Sequence, residues 1–423
     1  MTADGQPTSV PHPRPLAGVR VIELDHMVMG PACGMILADL GADVIKVEPL
    51  PAGDKTRTLT GSGAGFFLTY NRNKRSVGVD LARPEGHALV RQLVETADVL
   101  VENLRPGALE PMGLGYADLS ALNPRLIFCS LKGFLPGPYE HRTALDEVVQ
   151  MMGGLAYMTG PPGRPLRAGA SVNDVMGGLF AAVAVLAALR ERDRDGQGRQ
   201  VRAGLFENNV FLMGQHMAQA ALTGRPVAPM PARQAAWAIY DVFTTGDGEQ
   251  LFLGVVSDTQ WRAFCTQFKL TAFLDDPELA TNPQRVAARP RLLPAVARVF
   301  LDHGARDLIP VFESLGLPYA PIATPQDLFD DPHLRQSGGL LPVTPPTGGP
   351  AIPLPALPVE IDGVRPGVYR DVPRFGEHTR SVLAELGLDA VAIDRLAADG
   401  VIGGSAAPRS RTPASLHQGD TAP

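Results

Sequence analysis

Asp174 is the most informative chemical residue in the sequence. It stands between an extended run, PLRAGASV (165–172), and a helical stretch almost free of charge until its last turn near Arg192. Two roles fit this junction. Asn173 or Asp174 can cap the helix, a bond worth about 1 kcal/mol. Alternatively, a carboxylate kept ionised at a helix N-terminus, with amide donors placed where an oxyanion would form, can serve as a nucleophile. Gly169, Gly177 and Gly178 on either side would leave room for a bulky substrate. Cationic groups gather in NRNKR (71–75) and NLRPG (103–107), near the ends of strands, where open sheets bind anionic ligands. An ordinary solvated surface explains them equally well. GSGAGF (61–66) reads as a mobile flap or as a glycine phosphate loop, but it does not lie between the first strand and its helix.

Other chemistries are excluded. There is no HExxH, GxxxxGK[ST] or GxSxG motif. The first strand–helix turn, LDHMVMGPACG, lacks the glycine fingerprint of a dinucleotide enzyme. Cys33, Cys129 and Cys265 are far apart and form no CxxC, so neither a metal site nor a disulfide framework is expected, and a reducing, cytoplasmic compartment fits. The net charge of −6 argues against a nucleic-acid partner. No membrane partner is expected either: the N-terminus has no apolar signal core, and the longest apolar run, 177–189, falls short of the roughly 20 residues of a span. That run reads as a buried helix.

The elements that must hold these residues alternate. Strands are expected at 19–24, 42–48, 76–81, 98–103 and 125–134, with helices at 33–41 and 84–97 and a turn at Gly30-Pro31. This is the pattern of a parallel α/β sheet. A helix over 142–160, broken near Gly153-Gly154, and a mostly helical 201–222 follow. Composition shifts to a linker at 224–236. Beyond it come a hairpin (237–256) turning at Gly246-Asp247-Gly248, helices to about 316, an extended proline-rich connector (341–359), and two short helices at 378–388 and 390–398.

The chain resembles the family III CoA-transferases, the group that includes formyl-CoA transferase, carnitine CoA-transferase and α-methylacyl-CoA racemase. The resemblance is carried in order by LAGVRVIEL, GPACGMILADLGADVIKVE, NRNKRSVGVDL, DVLVENLRPGALEPMGLGY, NPRLIFCSLKGF, ALDEVVQMMGG and SVNDVMGG, and covers about residues 15–402. It implies an α/β fold with a Rossmann-like large domain (15–225, completed by a return linker and C-terminal part at 336–403) and a smaller α+β domain (226–335). Residues 1–14 and 404–423 would be a disordered arm and tail. Two chains would interlock as an intertwined homodimer. The resemblance also implies that Asp174 is the nucleophile, attacking an acyl-CoA thioester and passing through an aspartyl anhydride and an aspartyl-CoA thioester. The partners would be an acyl-CoA and a free carboxylic acid. Coenzyme A would be part of the substrate, with no prosthetic group. It would lie along His26, Asn73, Lys74, Arg75, Asn103, Leu104, Arg105, Met112, Arg142 and Asp146, with Arg75 and Arg105 holding phosphates. Val28 replaces the glutamine of formyl-CoA transferase and the glycine run of its small domain is missing, which favours a larger acid such as a short dicarboxylate. Two rivals remain: a racemase on the same fold, and a non-catalytic CoA-binding protein. The racemases carry a histidine just before the aspartate that matches Asp146; here that residue is Leu145, with His141 upstream.

Overall fold

The computed structural model describes residues 12–233 and 235–404. The expectations for residues 1–11 and 405–423 lie outside them. Residues 12–14, expected in a disordered arm, are docked: His12 Nδ1 lies 3.0 Å from the Arg365 carbonyl, and Arg14 stacks on Tyr369 at 4.2 Å. The chain divides into two units, 1–226 with 336–423, and 227–335.

The larger unit is built on a seven-stranded sheet in the order β12-β3-β2-β1-β4-β5-β6. The strands are β1 Arg20–Leu24, β2 Asp43–Pro49, β3 Lys74–Val79, β4 Val99–Glu102, β5 Ile127–Lys132 and β6 Arg199–Gly204. These six are parallel, and β12 (Ile402–Gly403) closes one edge antiparallel to β3. Alternate strand residues feed two cores. Val21, Val44, Val99 and Ile127 face helices α1 (Met29–Asp39) and α7 (Val172–Asp195), while Ile22, Ile45, Leu100 and Phe128 face α3 (Pro84–Glu95) and α4 (Tyr116–Leu122). A sheet covered on both faces needs such continuous apolar runs.

Several boundaries differ from those expected. Helix α1 starts at Met29 and runs through Gly30-Pro31, where a turn was expected. Pro31 is tolerated there because the first-turn amides have no intrahelical partner anyway. The helix expected over 142–160 is α5 (Asp146–Met152) and α6 (Leu155–Thr159), broken at Gly153-Gly154, where Gly154 has φ 93°. Residues 201–204, read as helix, belong to edge strand β6, and helix α8 covers only Leu205–Thr223. Among the described residues one helix, α7, is long and apolar enough to cross a membrane by length and composition. It is buried only on one side. Val175, Leu179 and Val183 form an exposed apolar stripe along it.

The smaller unit has an antiparallel sheet, β7 (Ile239–Thr244), β8 (Gln250–Val255) and β9 (Tyr319–Pro321), with the expected hairpin between β7 and β8. Helices 258–267, 289–301 and 305–314 pack on it around Phe243, Phe264, Phe300 and Phe312. The proline-rich connector is not simply extended: β10 (Leu340–Val343) and β11 (Ile352–Pro355) pair with each other.

Candidate active site

Helix α1 follows β1 and helix α7 precedes β6, so both N-termini reach the C-terminal edge of the parallel sheet, the ligand side of such folds. The two helices meet at glycines. A Cβ on Gly177 would lie 2.3 Å from Met29 Cε, and one on Gly178 would lie 2.8 Å from Ala32 Cβ. These glycines therefore serve helix contact, not substrate room as the sequence suggested; only Gly169 faces open space. Asp174, Gly177 and Gly178 share one helix face at i, i+3 and i+4. Asp174 thus sits one helical turn before the residues of α7 that meet α1.

Asp174 is not the cap of α7. The helix begins at Val172, and Ser171 offers no side-chain cap. The cap comes from α5: Asp146 Oδ1 accepts the amides of Asn173 (2.7 Å) and Asp174 (3.2 Å), while its Oδ2 accepts Gln150 Nε2 (2.5 Å). Gln150 Oε1 in turn accepts the Ala168 amide. Arg167 Nη2 lies 3.6 Å from Asp146 Oδ2. This leaves the Asp174 carboxyl free of any cap duty.

Its ionisation differs from the sequence expectation. Burial, then the Asp146 carboxylate, push Asp174 up to about 7, with Arg167 opposing. A helix N-terminus favours the anion by about 0.3–1 kcal/mol, less than one pKa unit, so burial and the like charge win. The group titrates near neutrality, where a carboxylate can still ionise yet is more basic than an ordinary one. The Tyr70 phenol, at the end of the short helix α2 (Phe66–Tyr70), is pushed up by burial and then by Asp174, so it lies within electrostatic reach of the same carboxyl. Tyr70, Gln150 and Arg167 were missed in the sequence reading because nothing local marks them.

Of the residues expected to hold CoA, Asp146 is instead the cap of α7, and the rest fall into two sets. One lies at the same sheet edge. The His26 amide donates to Asn103 Oδ1 (3.0 Å) and Asn103 Nδ2 donates to the His26 carbonyl (2.8 Å), joining the ends of β1 and β4. The Leu104 amide donates to Glu102, and its carbonyl accepts Lys132. Arg105 is exposed and has no partner among the described residues. It borders a cavity of about 160 Å³ that also meets Glu102, Ser130, Lys132, His141 and Arg202. Met112 is half-buried, and Arg142 is exposed and stacked on Tyr139 at 4.1 Å.

The other set has different work. Asn73, Lys74 and Arg75 are buried at the start of β3. Asn73 Oδ1 accepts the amides of Tyr369 and Arg370, and its Nδ2 reaches Asp39. Lys74 Nζ binds Glu23 (2.8 Å), the Pro31 carbonyl (2.9 Å) and Asn71 (3.2 Å). Gly34 is required beside this pair, since a Cβ there would lie 1.4 Å from Glu23 Oε1. Arg75 bridges Asp43 (2.5 Å) and Glu385 (2.6 Å) at the N-terminal end of the strands. Asn73, Lys74 and both Arg75 Nη groups spend their donors inside the fold, and the remaining donor, Arg75 Nε, is buried, so these three are not placed to hold a CoA phosphate. His141, the possible substitute base of a racemase, is 83% exposed beside Glu140. Among the described residues no group of three or more His, Cys, Asp or Glu could hold a metal ion.

The model of CoA-transferase family III matches residues 16–379. The chain is 36% identical over 392 residues to the succinate–glutarate CoA-transferase of Agrobacterium fabrum, covering 90% of this chain and 98% of that protein. It is 34% identical over 396 residues to the succinyl-CoA:glutarate CoA-transferase of Mus musculus, covering 92% and 90%. The crystal structure of a CAIB/BAIF family protein from Brucella suis superposes with a TM-score of 0.79 at 33% identity, over 89% of this chain and all of that one.

Proposed function

The chain belongs to CoA-transferase family III, and on that premise we propose that it exchanges CoA between short dicarboxylic acids, with Asp174 as the covalent nucleophile. The observation that carries this reading is a half-buried aspartate, free of capping, whose carboxyl is pushed up to about 7 at the ligand edge of the sheet. Its carboxylate attacks the thioester carbonyl of the donor, the C–S bond breaks, and CoA leaves as thiolate. The thiolate then attacks the aspartyl carbonyl of the anhydride, releasing the donor acid and leaving an aspartyl-CoA thioester. The acceptor carboxylate attacks that thioester, and the returning thiolate completes the new acyl-CoA. Each step moves an electron pair between two carbonyls, splitting one difficult exchange into easier ones.

CoA would lie along His26, Asn103, Leu104, Arg105, Met112 and Arg142, with Arg105 on phosphate because its planar fork matches that geometry. No prosthetic group is required. The succinate and glutarate of the relatives' names support a dicarboxylate of four or five carbons as acceptor. A racemase would need a second positioned acid–base group, and Leu145 cannot supply one. The stripe Val175, Leu179 and Val183, with Phe211 and Met217 on α8, is the apolar face that a second copy would cover in a homodimer. A cytoplasmic location agrees with three free cysteines.

The test is succinyl-CoA offered with isotope-labelled glutarate, with new thioesters read by mass spectrometry. Labelled glutaryl-CoA is the expected product. Failure of every short dicarboxylate to enter a thioester, together with acid-independent deuterium wash-in at Cα of a 2-methylacyl-CoA, would overturn the transferase reading.

A further inference from the structure

The loop that leads into α1, whose Met29 packs on Gly177 one turn from Asp174, contains a non-glycine residue in the left-handed region, Met27 with φ 65°. That conformation is strained for a residue with a Cβ and persists only when the surroundings over-determine it. The surroundings here converge on one buried ammonium. Lys46 Nζ binds the Asp25 carbonyl (2.9 Å) and Asp25 Oδ1 (2.6 Å), fixing the residue before His26. It also lies 3.2 Å from Asp54 Oδ2. Asp54 Oδ1 accepts the hydroxyl (2.5 Å) and the amide (2.9 Å) of Thr56. With its proton committed to Asp54, Thr56 Oγ1 accepts the Met27 amide at 3.2 Å. Lys46, Asp25, Asp54 and Thr56 are all buried. On the outer side Asn103 takes both the amide and the carbonyl of His26. The loop is therefore held from both sides, with Thr56 on the Met27 amide from the inner side and Asn103 on the His26 carbonyl of the same peptide from the outer.

We propose that Thr56 is a positioning residue for CoA transfer: its hydroxyl, oriented by Asp54 and Lys46, holds Met27 left-handed and so fixes the His26–Val28 loop at the start of α1, where Met29 packs on the helix that carries Asp174. The inference rests on the transferase reading. Its role is indirect, through Met27, and placement errors of about 1 Å at reacting groups can cost on the order of 10²-fold in rate.

The experiment compares Thr56→Val, which keeps the shape and removes the hydroxyl, with Thr56→Ser, which restores it. Two readouts are taken: kcat and KM for the succinyl-CoA and glutarate pair, and amide hydrogen exchange of the peptide spanning 25–29. Thr56→Val should lower kcat by about 10- to 100-fold, with KM for glutarate within about threefold, and should speed exchange of the 25–29 peptide while leaving the strands of the sheet protected. Thr56→Ser should restore both readouts to within about threefold. Unchanged exchange in Thr56→Val would overturn the anchoring role even if the protein transfers no CoA at all. Faster exchange with unchanged kcat would overturn the catalytic consequence. Loss of protection throughout the sheet would show a merely structural residue, as would a rate loss that Thr56→Ser does not rescue. A wild-type protein that transfers no CoA, with the loop exchange behaving as stated, would remove the transferase reading and the catalytic claim but leave the anchor.

Discussion

Asp54, buried, and Asp174, half-buried, are carboxylates near the C-terminal edge of the same sheet, each with a second aspartate close by. They titrate in opposite directions. Burial pushes Asp54 up, but Lys46 and the two Thr56 bonds together bring it below the ordinary carboxylate range. Burial pushes Asp174 up as well, and Asp146 adds to it; only Arg167 opposes, from a partly exposed position 3.6 Å from Asp146. The difference is a cation at the centre. An ammonium between Asp25 and Asp54 turns buried carboxylates into struts that fix a loop. Without one, the Asp174 carboxyl is left at neutrality, reactive and costly to the fold.

Removing the reactive member is the most severe way to break the comparison. Asp174→Asn should lower turnover by at least about 10³-fold, with deamidation excluded by mass spectrometry. The fold should survive, because the cap of α7 comes from Asp146. It should even gain stability. A carboxyl raised from 3.8 to about 7 contributes stability that is intact below 3.8 and lost as the pH rises through 7. Asp174→Asn should thus melt higher than the parent at pH 8, by on the order of 1 kcal/mol or about 2–4 °C, and at the same temperature as the parent at pH 4. Near-normal turnover in the Asn variant would remove Asp174 from the chemistry.

The strut should respond in the other currency. Lys46→Met leaves Asp25 and Asp54 buried without their cation, which costs about 3–5 kcal/mol in urea unfolding. Arg167→Met, at the partly exposed edge of the reactive pair, should cost less than about 1 kcal/mol. Similar losses for the two would mean that the central cation does not distinguish the regions.

How much of this was legible in the sequence depended on how far apart the partners lie. The alternation through β5 and the junction at Asp174 are local patterns, and both were readable. Lys74 and Arg75 looked like surface cations because their anions are distant: Glu23 is 51 residues from Lys74, and Glu385 is 310 from Arg75. Asp146 caps a helix 27 residues downstream, so a capping rule applied to neighbours could offer that duty only to Asn173 or Asp174. Gly177 and Gly178 looked like room for substrate because a close helix crossing leaves the same small-residue signature. Strand β6 was hidden by two arginines on a partly exposed edge, which removes the apolar run that marks the inner strands.

The finest prediction separates the two causes that raise Asp174. Only its ionised form attacks the thioester, so kcat/KM for the CoA donor should rise with pH along a limb near 7 and fall away below it. Asp146→Asn removes the neighbouring negative charge but keeps an oxygen able to accept the amides of Asn173 and Asp174, since Asn caps as well as Asp. The limb should therefore move down in pH, and the variant should retain a larger fraction of its own maximal rate at pH 6 than the parent does. It should not fall to the ordinary carboxylate range, because burial is the larger cause and is unchanged. The measurement is kcat/KM from pH 5.5 to 9 at saturating glutarate. An unmoved limb would assign the raised carboxyl to burial alone, and a limb moved upward would mean that Asp146 stabilises the ionised form through the cap more than it opposes it by charge.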